Sequence, residues 1–389
     1  MDLFLETYTR QLTKWGEELC GDNVEIIRTP DALTITVADG LGSGVKANIL
    51  ATLTTKIAST MLREGADIDE VIATIAETLP VCKVRELAYS TIAILQIRPN
   101  GESYLAEFDT PDTLLLKNDQ IQELARVERV IAGRKIRESH FTLDLGDTVI
   151  LISDGVIHAG VGATLYMGWQ WSNVAQYVST LSAKKHSLRS IVSSLINTCG
   201  HLYSGKPGDD ATVMGVRANL PLPVTILSGP PRDRSQDGQI VSTFLASPGV
   251  KVICGGSTAQ MVAREAGLRL STELGTMDDE LPPIAHMQGV ALVTEGILTL
   301  TAAMSIIRTF AQAHDDLSAS ALLKRSDGAS RLADLLLNRC THVRLLIGCA
   351  VNEAHLVAMP LYIGFRQQLA TDLAKHLRSL SKEVVIEYY

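Results

Sequence analysis

The chain has 389 residues, 46% hydrophobic and 20% charged, a globular composition with apolar material for more than one core. Its 35 basic and 43 acidic side chains leave a formal charge of −8, which argues against nonspecific binding to nucleic acid or to an anionic membrane surface. The start, Met1-Asp2-Leu3-Phe4-Leu5-Glu6, carries acid where a signal peptide carries base, and no apolar run is long enough to cross a bilayer; a cytoplasmic protein with its 6 scattered cysteines reduced is expected.

In chain order, the first clear element is a strand, where Leu33, Ile35 and Val37 alternate with Thr34 and Thr36. The loop Gly40-Leu41-Gly42-Ser43-Gly44 follows, then a helix from about Val45 to Arg63 stopped by Gly65. This helix is rich in small and β-branched residues, among them Ala47, Ala51, Thr54, Thr55, Ala58 and Ser59, which permit close approach to a partner. Asp67 and Glu70 have the spacing of a capping box for a second helix, whose apolar positions Ile68, Val71, Ile72, Ile75 and Leu79 recur at helical spacing before Pro80. Strands are predicted at Thr91–Ile97, Ser103–Phe108 and Thr148–Ser153, helices at about Trp171–Leu181 and Leu188–Tyr203, and a last strand at Thr212–Val216. Strands dominate residues 85–155 without helical crossovers, which favours an antiparallel α+β architecture. Pro221-Leu222-Pro223 then interrupts the chain, so a domain boundary is expected near residue 220, with domains at 1–220 and 221–389.

Beyond the boundary the pattern changes. Strands at Val224–Leu227, Val250–Ile253 and Val343–Ile347 alternate with helices near Asp237–Phe244, Thr258–Ala266, Leu298–Phe310 and Ala329–Leu337, the pattern of an α/β domain with a parallel sheet. Cys254-Gly255-Gly256-Ser257-Thr258 links a buried strand to a helix and is a candidate loop for a small anionic ligand. Ser228-Gly229-Pro230 and Thr294-Glu295-Gly296 end other strands and would neighbour it in a parallel sheet.

The acidic residues of the first domain share one setting. Asp39-Gly40 ends a strand, Asp154-Gly155 ends another, and Gly208-Asp209-Asp210 precedes a third; Asp22 follows Gly21. One such dipeptide is an ordinary turn. Several carboxylates at strand ends can converge from distant parts of the sequence, and hard oxygen ligands of this kind suit Mg²⁺ or Mn²⁺ rather than zinc.

Together these segments resemble the metal-dependent (PPM-type) serine/threonine protein phosphatases, in the bacterial branch of the stage II sporulation protein E phosphatase. The resemblance spans roughly residues 10–217 and rests on Cys20-Gly21-Asp22, Val37-Ala38-Asp39-Gly40-Leu41-Gly42-Ser43-Gly44, Tyr89-Ser90-Thr91, Ser153-Asp154-Gly155-Val156 and Asp209-Asp210-Ala211-Thr212-Val213. It implies two packed antiparallel sheets flanked by helices. It also implies two divalent cations, Mn²⁺ or Mg²⁺, that activate a water for hydrolysis of phosphoserine or phosphothreonine on a regulatory protein. Asp39 would bridge the metals, the Gly40 carbonyl and Asp22 would serve the second metal, Asp154 and Asp209 the first, and Asp210 would assist through a hydrogen bond. One position departs from the wider family, whose eukaryotic members carry a phosphate-gripping arginine four residues before the first acid; here it is Glu18. Two alternatives follow: a phosphatase-fold binding module without turnover, or a sensor whose main activity lies in the second domain. His158 reads as an exposed loop residue with a lesser claim as a proton donor.

Overall fold

The computed structural model describes residues 3–78, 81–82, 87–88, 90–273, 283–312, 323, 325–350 and 362–389. The chain falls into two compact units, Met1–Leu220 and Pro221–Tyr389. Among the described residues no helix is long and apolar enough to cross a membrane. The five cysteines whose side chains are described are free thiols.

The first unit is built on two antiparallel sheets. The first sheet orders β1 (Phe4–Leu12), β13 (Ala211–Asn219), β12 (Thr148–Ile152), β8 (Leu114–Lys117) and β9 (Gln120–Gln122). The second orders β10 (Val127–Ile131), β11 (Arg134–Thr142), β7 (Glu102–Phe108), β6 (Ser90–Ile97), β3 (Leu33–Gly40) and β2 (Asp22–Arg28). A separate two-residue pairing joins β4 (Val81–Cys82) to β5 (Leu87–Ala88). Helices α1 (Gly44–Arg63) and α2 (Ile68–Thr78) follow β3, a short turn α3 (Asp154–Ile157) follows β12, and α4 (Trp171–Ala183) and α5 (Leu188–Leu202) precede β13.

Strand alternation makes the layers. On β3, Leu33, Ile35 and Val37 enter a core shared with Leu95 of β6, Val149 and Leu151 of β12, and Met214 and Val216 of β13. The opposite face of β6, Ile92 and Ile94, packs with Ala58 of α1 and Val71, Ile72 and Ile75 of α2. The opposite face of β12, Ile150 and Ile152, packs with Val174 and Val178 of α4 and Leu188, Ile191 and Leu195 of α5. The two sheets thus pack face to face, with helices on both outer faces, as the family resemblance implies.

Local signals are realised in detail. Gly65 has a φ of +93° and its N–H donates to the Leu62 carbonyl, closing α1. The Glu70 N–H donates to Asp67 Oδ1 at 2.8 Å, one arm of the expected capping box. Leu79, Pro80 and Tyr89 lie outside the described residues. The small residues of α1 form its buried face, against β2 and β3. The strands β1, β2, β8 and β11 carry weak alternation and were not anticipated.

The second unit is one seven-stranded sheet in the order β16 (Leu270–Glu273), β17 (Ile284–Met287), β18 (Val290–Thr294), β15 (Val250–Cys254), β14 (Pro223–Ser228), β19 (His342–Ile347), β20 (Glu383–Tyr388). The five strands β18, β15, β14, β19 and β20 are parallel, as expected, while β16 and β17 add an antiparallel edge. Phe244 of α6 (Asp237–Ala246) and Met261 and Val262 of α7 (Gly256–Ala266) cover one face. The other is covered from α8 (Ile297–Gln312), α9 (Gly328–Asp334) and α10 (Tyr362–Ser379) by Leu300, Ile307, Leu332 and Leu373. Helices on both faces bury both faces of the parallel strands, which is why these read as continuous apolar runs.

Candidate metal centre

The acids sit where two strand pairs of the first unit end together. Asp22 begins β2 and pairs in register with Asp39 near the end of β3. Asp154 opens α3 directly after β12, and Asp209-Asp210 lies immediately before β13, the strand paired with β12. Two hydrogen bonds join the two sheets at this edge: Thr212 Oγ1 donates to Asp22 Oδ2 at 2.6 Å, and Gln11 Nε2 donates to the Asp22 carbonyl at 3.1 Å. The Thr212 N–H donates to Ser153 Oγ at 2.8 Å, fixing the turn that presents Asp154. The Ser90 hydroxyl donates to the Asp39 carbonyl at 2.9 Å and steadies the end of β3.

Two glycines are required by close approach. A Cβ on Gly40 would lie 2.0 Å from the Ala47 carbonyl oxygen, so only glycine lets α1 start this near β3. A Cβ on Gly155 would lie 1.9 Å from the Asp210 carbonyl oxygen. The Gly155 carbonyl in turn accepts from the buried Tyr203 hydroxyl at 3.1 Å.

The loop between β1 and β2 straps the acid-bearing segments together. The Lys14 N–H donates to Asp210 Oδ1 at 2.9 Å, and the Trp15 N–H donates to the Pro207 carbonyl at 2.8 Å. Glu17 Oε1 accepts from the Ser43 hydroxyl at 2.9 Å, at the N-terminus of α1. Asn48 Nδ2 donates to the Cys20 carbonyl at 2.8 Å, and the Gly40 N–H to the Gly21 carbonyl at 3.2 Å. Sequence patterns did not reveal this strap, because its role depends on the pairing of β1 with β13, about two hundred residues away.

The electrostatics are those of crowded acids. Burial first, then the charges of Asp22, Asp154 and Asp209, push the Asp39 carboxyl well above the usual carboxylate range. Asp22 is pushed up by burial and by Asp210 and Asp154, against hydrogen bonds from Thr212 and Ser153 that favour its charge. Asp209 is raised by burial and by Asp154, with Lys14 pulling the other way. Burial and the charges of Asp22 and Asp210 hold the Cys20 thiol protonated.

Among the described residues no three His, Cys, Asp or Glu side chains, as they stand, close to metal-holding distance. Yet Asp22 and Asp210 are 2% and 4% exposed, and Asp22 Oδ1 and Asp210 Oδ2 have no hydrogen-bond partner. Buried anionic oxygens without partners are costly, and a divalent cation is the group that satisfies them. The donors are all carboxylate or carbonyl oxygens, so the set fits Mg²⁺ or Mn²⁺. His158 is exposed, with its N–H on the Asp154 carbonyl at 2.9 Å.

In the second unit Cys254–Thr258 lies beside the two loops expected to flank it, because β14, β15 and β18 are adjacent. Its polar groups bond mainly to those neighbours. The Gly255 N–H donates to the Thr294 carbonyl at 2.9 Å, and Thr258 Oγ1 accepts from the Gly229 N–H at 2.9 Å. Cys254 is buried, and Gly256 and Ser257 are exposed at the start of α7. Glu295 Oε2, buried without a partner, adds negative charge at the same strand ends.

Residues 29–219 match the model of the stage II sporulation protein E family. Among solved structures, the chain is similar to the PP2C phosphatase domain and regulatory fragment of the cell fate determinant SpoIIE from Bacillus subtilis, at 20% identity over 56% of this chain and 64% of that one, with a TM-score of 0.46. It is also similar to the SiaA PP2C domain of Pseudomonas aeruginosa, at 18% identity over 54% and 85% of the two chains and a TM-score of 0.45. A third is RsbX in complex with magnesium, at 19% identity over 55% and 96%, with a TM-score of 0.42. No curated protein matches by sequence.

Proposed function

We propose, with the stage II sporulation protein E match of residues 29–219 as premise, that the first unit is a metal-dependent hydrolase of phosphoserine or phosphothreonine on a regulatory protein. The observation that carries this reading is the pair of buried, unpartnered oxygens, Asp22 Oδ1 and Asp210 Oδ2, at the common edge of two sheets. Asp39, Asp154, Asp209 and the Gly40 carbonyl, with Asp22 and Asp210, are the residues that would hold two divalent cations, Mn²⁺ or Mg²⁺. When bound, such cations supply a water of lowered pKa and positive charge against the phosphate.

The chain's own residues perform the rest. Thr212 holds Asp22 Oδ2 through its 2.6 Å hydrogen bond, and Ser90 fixes the carbonyl of Asp39. Gly40 and Gly155 let backbone approach where any side chain would block it. Among the described residues around the acids, no cysteine is poised as a nucleophile, since the Cys20 thiol is held neutral. A direct attack by water is the route these groups support.

The test is hydrolysis of p-nitrophenyl phosphate by the full chain with Mn²⁺, with Mg²⁺ and with EDTA. Turnover with either metal, abolished by EDTA, is expected; no turnover on this ester or on any phosphoprotein overturns the reading. A second reading, a binding module without turnover, is favoured by Glu18 at the position of the family's arginine. We assign residues 221–389 a regulatory or ligand-binding role, with a small anionic ligand at Cys254–Thr258 as its proposed form.

A further inference from the structure

A phosphomonoester dianion approaching the acids needs positive charge besides the metals, and Glu18 gives none. The strap between β1 and β2 brings another cation. Lys14 is anchored by its own backbone N–H on Asp210 Oδ1 at 2.9 Å, so its side chain starts at the edge of the acid cluster. Its charge acts on Asp209, opposing the carboxylates that raise it. Among the described residues the Lys14 ammonium has no acid or carbonyl within hydrogen-bonding reach. From the other side, the Lys206 ammonium lies 5.4 Å from the ring centroid of Trp15, the next residue of the strap. Trp15 is 64% exposed, and its N–H is tied to the Pro207 carbonyl beside Gly208-Asp209. Two lysines and an exposed indole therefore stand beside half-buried Asp209.

We propose that Lys14, seconded by Lys206 over Trp15, contacts the phosphoryl oxygens of the substrate. The assignment rests on the phosphatase reading, and it makes Lys14 a catalytic residue in that it touches substrate. A lysine on a flexible stem binds phosphate as a point charge rather than as a fork, so it can stand in for an arginine without matching its position in sequence. The hydrogen bond that ties Lys14 to the acid cluster is made by its backbone N–H, which any residue but proline keeps.

The test uses the full chain loaded with Mn²⁺ and three variants: Lys14→Met, Lys14→Met with Lys206→Met, and Lys14→Arg. Inorganic phosphate is titrated and followed by the emission of Trp15, the most exposed of the three tryptophans. KM and kcat for p-nitrophenyl phosphate are measured alongside. The expected result is a roughly tenfold weaker phosphate Kd and higher KM in Lys14→Met, more in the double variant, and recovery in Lys14→Arg, with Mn²⁺ binding no weaker than in the wild type. Wild-type-like phosphate binding and KM in the double variant overturn the lysine assignment and leave the hydrolase reading standing. Phosphate binding that depends on Lys14 in a protein without turnover keeps the assignment and sinks the hydrolase reading. A wild-type chain that neither binds phosphate nor turns over removes both.

Discussion

Both units place glycine-containing turns at strand ends, yet the two sets of turns are spent differently. In the second unit the loop after β15 is bonded to the loops after β14 and β18, through Gly255 to Thr294 and Gly229 to Thr258. In the first unit the strand ends carry acids, and two buried carboxylate oxygens, of Asp22 and Asp210, are left without partners. A tight turn that satisfies its own polar groups is explained by packing alone. The second unit also leaves one carboxylate oxygen at these strand ends unmet, Glu295 Oε2, but only in the first unit do several acids converge on one edge around the unmet oxygens, and that convergence calls for a cation from outside the chain.

The comparison is most severely tested by removing that charge. Asp39→Asn or Asp154→Asn is expected to lower Mn²⁺-dependent hydrolysis by on the order of a hundredfold or more. The same change should raise the melting temperature of the metal-free protein, because it relieves repulsion among Asp22, Asp39, Asp154 and Asp209. Unchanged hydrolysis in both variants would show that these acids hold no metal.

Close approach gives the next largest effect. Gly155→Ala puts a methyl 1.9 Å from the Asp210 carbonyl oxygen and should cost about 3 kcal/mol or more of stability, read by denaturant unfolding. Gly256→Ala, at the start of α7 in the second unit, meets nothing within 4 Å and should be neutral or slightly stabilising. Equal losses at the two sites would erase the distinction drawn between the two sets of turns.

The metal-free protein should also become less stable as pH rises. Asp39, Asp22 and Asp209 have folded-state pKa values above their ordinary 3.8, so the folded state holds protons that the unfolded state releases. Their contribution is fully present below pH 3.8 and is lost as pH climbs through the raised values. Saturating Mn²⁺ should flatten this slope. Thermal melts across pH, with and without Mn²⁺, check it; a metal-free slope of opposite sign in the neutral range would contradict the crowding.

A smaller effect concerns what the second unit does. A protein ending near residue 218 is expected to fold, to bind metal, and to differ from the full chain in rate or metal affinity by several-fold. Equal kinetics at saturating metal would remove the regulatory role assigned to residues 221–389.

Several parts of this picture were legible in particular residues. Leu33, Ile35 and Val37 announced β3 because alternation is a local property, and Gly65 announced the end of α1 because a positive φ excludes most side chains. The acids were singled out because three of these sites share the same context of strand end and glycine, while Asp22 stands beside Gly21. The strap from Lys14 to Cys20 was not legible, since its residues have no periodicity and gain meaning only from contacts with Asp210, Pro207 and Ser43. Nor was Thr212 marked as the partner of Asp22, from which it is separated by 190 positions.

By itself, then, the sequence determined the fold class of each half and the chemistry on offer at the strand ends, because hydrophobic period, turn residues and acid type act over a few residues. Only the tertiary structure decided which polar atoms stay unmet. Asp22 Oδ1 and Asp210 Oδ2 are orphans, whereas Gly255 and Thr258 are satisfied, and both facts depend on strands from distant segments meeting at one sheet edge. Burial and hydrogen bonding are properties of neighbours in space, and no local pattern carries them.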